Sequence, residues 1–256
     1  MKIQYCSDLH LEFPKNKLFL KQNPLKVEGD ILILAGDILL FKDINEYKYF
    51  FDFLSESFKY TYWVPGNHEY YYSDISERSN SFSEQIRDNV FLVNNVSVIH
   101  DDTKFIFSTL WSKISLQNEW QIQKGLTDFR VIKKDSSIFT PYDYNVLHQN
   151  SIDFIEKELL SQNKQDKTVV VTHHVPTYMN YPEQYKGSAL NEAFATELFD
   201  LIERSNINYW IFGHSHENIS DFNIGKTKLL TNQMGYVNYG ENKNFDIGRH
   251  LKSKHP

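Results

Sequence analysis

Five short segments of the sequence carry histidine, aspartate and asparagine in spacings that could hold metal ions. In chain order they are Asp8-x-His10, Gly36-Asp37, Gly66-Asn67-His68-Glu69, His173-His174 and Gly213-His214-x-His216. Nitrogen and oxygen donors without sulfur suit Mn, Fe, Zn, Co or Ni, and suit a structural zinc site less well. One tetrahedral ion cannot use so many donors, and a carboxylate such as Asp37 can bridge two cations. The set therefore favours two metal ions, which can clamp the attacking and leaving oxygens of a displacement at phosphorus.

Each motif by itself has a simpler explanation. Asp8-x-His10 can be the polar turn that closes a strand, and Gly36-Asp37 is a common turn pair. The last motif is the most specific, because two histidines at i and i+2 beside Gly213 suit chelation better than a surface loop. It is the occurrence of all five motifs in one chain that favours a shared metal site.

The motifs follow short apolar runs that read as buried strands. These runs cover residues 2–6, 31–35, 60–64, 169–172 and 209–212. Between them, apolar and charged residues at helical spacing predict helices near 44–59, 75–88, 144–161 and 190–205. The alternation favours an α/β architecture, and in open α/β sheets ligands collect at the carboxyl ends of the strands. We therefore expect the five strand ends to converge on one crevice.

Two further regions do not follow this alternation of predicted strands and helices. Residues 90–111 contain successive β-rich runs broken by Asn94-Asn95 and Asp101-Asp102, which predicts hairpins, and another hairpin is predicted to turn at Gly225. The polar tail from about residue 241 is expected to be loosely held. No composition shift marks a linker, so we expect a single domain spanning residues 1–256.

The composition is that of a globular chain with an acidic balance. Of 256 residues, 41% are hydrophobic, and the formal net charge is −6, which argues against binding nucleic acid through non-specific phosphate contacts. The lone Cys6 excludes an intramolecular disulfide. No signal-peptide pattern follows Met1 and no apolar run reaches the roughly 18–20 residues of a membrane span. We expect a soluble cytoplasmic protein without a membrane partner; its oligomeric state is not indicated.

The segments SDLH, GDI, GNHE, THH and GHSH resemble, in that order, the five blocks of the calcineurin-like metallophosphoesterase superfamily. STLW, TDFRVI and TNQMGY are further similar to a bacterial branch whose natural substrates are mostly unassigned. The resemblance implies an α/β (mixed α+β) fold, a β-sandwich of two mixed sheets flanked by helices. It also implies a hydrolase that acts on a small phosphorylated substrate, either a phosphomonoester or a phosphodiester.

The resemblance implies a role for each motif as well. One metal would be held by Asp8, His10 and His216, the other by Asn67, His173 and His214, with Asp37 bridging them. The implied cofactors are two transition-metal ions, with manganese, iron and zinc as candidates. His68 would stay free of metal as the catalytic residue that stabilises charge or protonates the leaving oxygen, while a metal-bridging hydroxide attacks phosphorus in line.

One departure from the superfamily narrows the substrate class. Protein serine/threonine phosphatases carry Asp-Arg-Gly after the second block, whereas Asp37 is followed here by Ile38-Leu39-Leu40-Phe41. The phosphate-gripping arginine of that group is therefore missing at its usual place. Two other functions stay open: a non-catalytic scaffold with this fold, which the complete ligand set disfavours, and a metal-dependent nuclease, which the acidic balance disfavours.

Several residues near the motifs have two readings. Arg130 could contact a substrate phosphate or form a salt bridge to a neighbour such as Asp128. His174 is interpreted as a substrate contact or as support for His173, and Glu69 as a structural acid beside the site. Cys6 is expected in the core rather than as a nucleophile. Specificity is expected to lie in residues 70–139 and 178–194, which contain no decodable motif.

Overall fold

Two sheets form the centre of the protein, whose computed structural model describes residues 1–161 and 167–251. The first sheet contains β1 (Ile3–Cys6), β2 (Ile31–Ala35), β3 (Tyr60–Val64), β4 (Phe82–Arg87) and β5 (Val90–Asn94) in the order β1-β2-β3-β5-β4. All neighbours are parallel except β4, which runs antiparallel to β5. Both sheets are therefore mixed, since the second also combines the two orientations.

The second sheet is built from strands of the latter half of the chain. It contains β6 (Val96–His100), β7 (Thr103–Ser108), β10 (Lys167–Thr172), β11 (Tyr209–Phe212), β12 (Phe222–Ile224) and β13 (Thr227–Thr231), in the order β12-β13-β11-β10-β7-β6. A separate two-stranded hairpin pairs β8 (Lys133–Lys134) with β9 (Ser137–Ile138). The helices are α1 (Pro14–Gln22), α2 (Lys48–Ser57), α3 (Glu119–Gly125), α4 (Asp128–Val131), α5 (Pro141–Leu160) and α6 (Phe199–Arg204).

The core explains why the central strands are apolar without alternation. Residues such as Tyr5, Ile33, Phe107, Val171 and Ile211 from both sheets pack together in one cluster between the sheets. Their neighbours along each strand face outward and are covered as well. Leu32, Leu34 and Trp63 pack with Phe51 and Leu54 of α2, and Val170 and Trp210 pack with Ile155 of α5 and Ile202 of α6. Strands buried on both faces read as continuous apolar runs, so the predicted β-sandwich flanked by helices is confirmed.

The structure corrects the predicted helix at residues 75–88. That segment forms a 3-10 helix, Ile75–Arg78, followed by strand β4. Phe82 and Ile86 are four residues apart, a spacing that places both on one face of a helix or of a strand. The segment forms a strand because it pairs antiparallel with β5, from Phe82 opposite Asn94 to Arg87 opposite Val90.

Two other helix predictions are partly wrong. At 44–59, a 3-10 helix, Phe41–Tyr47, precedes α2. At 190–205, a 3-10 helix, Ala189–Ala193, is separated from α6 because Ala195 forms a β-bridge with Val175. The helix predicted at 144–161 is confirmed as the longer α5, which begins with a capping box between Thr140 and Asp143.

The hairpin predictions are confirmed for β6–β7 and for β12–β13, which turns at Gly225. In contrast, β5 and β6 lie in different sheets, because the chain crosses the sandwich at Asn95.

The segment after residue 241 is bound rather than loose: Tyr5 N donates to Arg249 O at 3.0 Å and Leu251 N to Ile3 O at 2.8 Å. Residues 252–256 of the predicted tail lie outside the described residues. Within the described ranges, no helix combines the length and apolar content that crossing a bilayer requires.

Candidate metal centre

The five motifs meet at one edge of the sandwich. They follow β1, β2 and β3 of the first sheet and β10 and β11 of the second, all at the carboxyl ends of parallel strands. Backbone hydrogen bonds tie the loops together: His10 N donates to Asp37 O at 2.9 Å, and Gly213 N donates to His173 O at 3.0 Å. The parallel pairing therefore gathers segments that are more than 200 residues apart in the chain.

The backbone at the motifs adopts a conformation that L-residues rarely use. Positive φ angles occur at Asp8 (55°), His10 (46°), Asp37 (55°), His214 (74°) and His216 (52°). Residues other than glycine in this region cost free energy and concentrate at functional sites. At these residues the backbone departs from the extended conformation of the preceding strands. The loops therefore fix the directions in which the side chains point.

Glycine is required where the loops approach most closely. A Cβ atom on Gly66 would overlap Oδ1 of Asp37 and lie 2.6 Å from Nε2 of His173. Gly36 has a φ of +91°, and a Cβ there would overlap the imidazole of His173. Both glycines therefore leave room for the donors around Asp37.

The candidate ligands form two groups that share Asp37. Donor atoms of Asp8, His10, Asp37 and His216 lie within 4.8 Å of one another, and so do those of Asp37, His173 and His214. In the first group, Nε2 of His10 is 2.9 Å from Nε2 of His216. In the second, Nε2 of His173 is 3.0 Å from Nδ1 of His214 and 3.4 Å from Oδ1 of Asp37. Such spacings bring lone pairs to common points, as metal coordination requires.

The outer nitrogens of three imidazoles are held by acceptors. Nδ1 of His10 lies 3.1 Å from Oε1 of Glu12, and Nδ1 of His216 lies 2.9 Å from Oε2 of Glu241. Nδ1 of His173 lies 2.9 Å from the carbonyl oxygen of Ala35. An N–H donated outward leaves the Nε2 lone pair pointing inward, the tautomer that a metal-binding histidine needs. The surroundings of these residues therefore fit a metal.

Asn67 supplies a second test of that fit. Its Nδ2 donates to Oδ1 of Asp128 at 3.0 Å, whereas its Oδ1 is buried without a hydrogen-bond partner. An unpaired buried amide oxygen costs free energy. Asp128 also accepts a hydrogen bond from Tyr71 Oη at 2.7 Å, so its position is set and the Asn67 amide is oriented with its oxygen free for a cation.

Glu69 holds the second and third loops together. Its buried carboxylate accepts hydrogen bonds from the backbone N–H groups of Asp37, Ile38 and Gly66 at 2.7–3.0 Å, and from Nε1 of Trp63 at 2.9 Å. The interpretation of Glu69 as a structural acid beside the site agrees with these contacts.

His68 lies beside the first ligand group, and its Nδ1 also faces Glu12. Nδ1 is 3.1 Å from Oε1 of Glu12, and Nε2 is 3.2 Å from Tyr236 Oη. The imidazole stacks on Tyr71 with ring centroids 4.2 Å apart. Burial lowers the pKa of His68, but the carboxylates of Asp37 and Glu12 outweigh it and raise the pKa above its ordinary value. The protonated form is thereby favoured at this position.

The charges of the other histidines differ with their neighbours. Although burial opposes it, Asp37 raises the pKa of His173 to about 9, and hydrogen bonds to Asp8 and Glu241 raise the pKa of His216 to about 10. Burial together with His174 and His173 holds the pKa of His214 well below its usual range. The neighbouring carboxylates thus favour the protonated forms of His173 and His216, whereas burial favours the neutral form of His214.

A cavity of about 650 Å³ opens next to these residues. Its walls include Tyr71 and Tyr72 after the third motif, residues 125–128 around the start of α4, and the aromatic side chains of Tyr181 and Tyr185. These parts belong to the two regions expected to determine specificity, 70–139 and 178–194.

The structure places the side chain of Arg130 against the end of α3. Its exposed guanidinium donates to the carbonyl oxygens of Leu126, Lys124 and Gly125 at 3.1–3.4 Å, where it neutralises the end of α3. Asp128, its expected salt-bridge partner, is instead buried against Asn67 and Tyr71.

His174 and Cys6 lie behind the site. The imidazole of His174 is buried, 4.3 Å from that of His214 between ring centroids, and Nε2 is 3.1 Å from Tyr144 Oη. His174 therefore packs against a candidate metal ligand and is not among the residues that line the cavity. Cys6 is buried in the core cluster, as expected.

Four residues contact the candidate ligands or His68 but were not assigned these roles from the sequence: Glu12, Asp128, Tyr236 and Glu241. Glu12 lies in the first motif, SDLHLE, two residues after His10, so its position was a usable signal. Asp128 and Tyr236 lie in the segments TDFRVI and TNQMGY, which were usable signals as well. Glu241 had none, because it lies 25 residues from His216, the side chain that it contacts.

Comparisons with known proteins give a family match, a viral relative and a structural neighbour. The sequence matches the family model described as calcineurin-like phosphoesterase over residues 1–218. An uncharacterized protein of Acanthamoeba polyphaga mimivirus is 35% identical over 269 residues, covering 95% of this chain and 94% of that protein. The crystal structure of the phosphopantetheinyl hydrolase from Mycobacterium tuberculosis superposes with a TM-score of 0.70 at 18% identity, covering 99% of this chain and 96% of the other. At that identity the structural likeness shows the fold alone.

Proposed function

This chain belongs to the calcineurin-like phosphoesterase family, and we propose that it hydrolyses a small phosphoester with two metal ions. Family membership supports a metal-dependent phosphoesterase. The observation that carries the two-metal proposal is the pair of donor groups that share Asp37.

We assign Asp8, His10 and His216 to one ion, Asn67, His173 and His214 to the other, and Asp37 to both. The free Oδ1 of Asn67 supports its place in the second set, since it is buried without another partner. The donors are oxygen and nitrogen, which suits manganese, iron or zinc. When bound, the two ions would polarise the phosphoryl oxygens and ease deprotonation of the attacking water.

The chain's own residues would orient the reaction. Glu12 and Glu241 fix the imidazoles of His10 and His216, so that the ligands need little reorganisation on binding. His68 would be the catalytic acid: Glu12 occupies its Nδ1, and its Nε2 lies 3.2 Å from Oη of Tyr236, which also lines the cavity. The raised pKa of His68 favours its imidazolium form. That form would protonate the leaving oxygen in an in-line displacement.

The substrate class is open within small phosphoesters. The cavity of about 650 Å³ accommodates an organic group beside the phosphate. A phosphopantetheinyl ester is one natural candidate, because the hydrolase named for it shares this fold along nearly the whole chain. It belongs in a panel with other small phosphomonoesters and phosphodiesters.

The proposal is tested by metal-dependent hydrolysis of matched aryl phosphomonoesters and phosphodiesters, with metal content measured on the same samples. His68→Ala is expected to lower kcat by about 10²–10⁴-fold while keeping its metal. Asp37→Ala is expected to lose both activity and metal. His250→Ala, a histidine hydrogen-bonded to Gly248 O away from the cavity, is the matched control. A wild type that binds two ions and hydrolyses no phosphoester would instead favour the scaffold function.

A further inference from the structure

We propose that the site prefers phosphodiesters to phosphomonoesters, and that an uncharged arm of the diester lies against the aromatic wall of the cavity. A phosphodiester carries one negative charge, whereas a phosphomonoester carries nearly two at neutral pH. The inference rests on the proposed function and narrows it. It is drawn from the charges and the side chains around the cavity.

The cavity wall carries several carboxyl groups and no fixed positive charge. Glu12, Asp37, Asp128 and Glu241 all line it, and within the described part of the chain no lysine or arginine does. Lys42 comes near, with Nζ 4.7 Å from the centroid of the lining Tyr72 ring, but it lies on that ring and does not line the cavity. A phosphate oxygen directed away from the metals would therefore find no guanidinium or ammonium partner.

His68 does not supply the missing cation. Oε1 of Glu12 lies 3.1 Å from its Nδ1, so a positive charge on the imidazole is already balanced at close range. The second charge of a monoester would enter a partly buried site whose described lining residues include four carboxyl groups and no lysine or arginine, and there like charges repel more strongly than in water. A diester monoanion does not carry this penalty.

The remaining wall suits an uncharged organic group. Tyr181 and Tyr185, with ring centroids 6.2 Å apart, line the cavity together with Leu190 and Phe194. Aromatic faces pack well against flat groups such as aryl rings or amides. The volume of about 650 Å³ is also far larger than a phosphate needs. The second ester arm of a diester accounts for this space.

Three esters with the same leaving group separate charge from shape. The experiment compares kcat/KM for p-nitrophenyl phosphate, methyl p-nitrophenyl phosphate and bis(p-nitrophenyl) phosphate. Each value is divided by the rate constant with which a small two-metal complex hydrolyses the same ester. The first pair differs in charge, and the second pair differs in the size of the uncharged arm. We expect kcat/KM to rise at least about tenfold from the monoester to the methyl diester, because one close like-charge contact is lost. We expect a similar rise from the methyl diester to the bis(p-nitrophenyl) diester.

Matched variants locate each effect. Thr127 is exposed and lines the cavity, so Thr127→Lys adds an ammonium there, and Thr127→Gln is its neutral control. Thr127→Lys should raise the monoester-to-methyl-diester ratio about tenfold over Thr127→Gln. Tyr185→Ala should reduce the advantage of the aryl arm, whereas Tyr142→Ala, a 72% exposed tyrosine outside the cavity, should not.

Binding gives a readout independent of turnover. Calorimetry of the metal-loaded protein with phenylphosphonate and its monomethyl ester should show tighter binding of the ester, with the order reversed or equalised in Thr127→Lys. Equal or faster hydrolysis of p-nitrophenyl phosphate, together with tighter binding of the dianion, would overturn the inference and leave the proposed function in place. If the protein binds two metal ions and hydrolyses neither these three esters nor any other phosphoester of the panel, the proposed function is refuted, and this inference with it.

Discussion

Glu12→Gln should weaken both metal binding and catalysis, because one carboxylate oxygen serves two histidines. Oε1 of Glu12 lies 3.1 Å from Nδ1 of His10 and 3.1 Å from Nδ1 of His68. The side chain is only 10% exposed, so water cannot replace these contacts. Glutamine keeps the shape of the side chain and can still accept with its amide oxygen, but it has no charge.

The size of the effect follows from the loss of charge in two hydrogen bonds. A hydrogen bond to a charged group contributes about 1.5–3 kcal/mol and a neutral one about 0.5–1.5 kcal/mol. Each contact therefore weakens by about 1 kcal/mol, and the two together by about 2 kcal/mol. At about 1.4 kcal/mol for each factor of ten, kcat/KM should fall roughly 30-fold.

The assay measures kcat/KM on an aryl phosphodiester together with the dissociation constant of the metal. Glu56→Gln, at an exposed surface position, is the control for loss of one carboxylate. The variant is also made in a His68→Ala background. There Glu12 can act only through His10, so Glu12→Gln should cost only about fivefold, the share of one contact.

Two results would refute this reasoning. Unchanged kcat/KM and metal affinity in Glu12→Gln would show that the carboxylate does not position either histidine. A full 30-fold loss in the His68→Ala background would show that Glu12 does not act through His68.

Three further predictions test the surroundings of the metal ligands. Asp128→Ala removes the acceptor for Asn67 Nδ2 and Tyr71 Oη, so metal affinity should fall by about 10- to 100-fold; unchanged affinity in a folded variant would contradict the role given to Asp128. Gly66→Ala should abolish metal binding, because its Cβ would overlap Oδ1 of Asp37, and metal analysis of the purified protein decides this. Metal uptake at pH 7 should release protons, because the pKa values of His173 and His216 are raised to about 9 and about 10. Apparent affinity should therefore increase from pH 6 to pH 8, and calorimetry in buffers of different ionisation enthalpy that finds no proton release would contradict it.

The central strands and the location of the site could be predicted from the sequence because both are local signals. Ile31–Ala35, Tyr60–Val64 and Tyr209–Phe212 were predicted with the bounds that the structure has. Strands buried on both faces are uniformly apolar, so they end where polar residues begin. The donor motifs are those polar residues, and parallel pairing brings them to one edge.

Other features depended on contacts that no local pattern reports. Residues Phe82–Arg87 fit a helix or a strand equally well until β5 pairs with them. The crossing between sheets at Asn95 likewise depends on which partner each strand finds. Both outcomes are decided by burial against distant segments, which outweighs local propensity.

The sequence by itself determined the donor types, their order, and the strands that carry them. The tertiary structure decided how those donors are held: positive φ angles at Asp8 and Asp37, the outward partners Glu12 and Glu241, and the orientation of Asn67 by Asp128. It also decided that the cavity wall is aromatic and free of lysine and arginine among the described residues. The physical reason is that donor chemistry belongs to individual side chains, whereas tautomer, amide orientation and wall charge depend on which distant residues the packed sheets bring together.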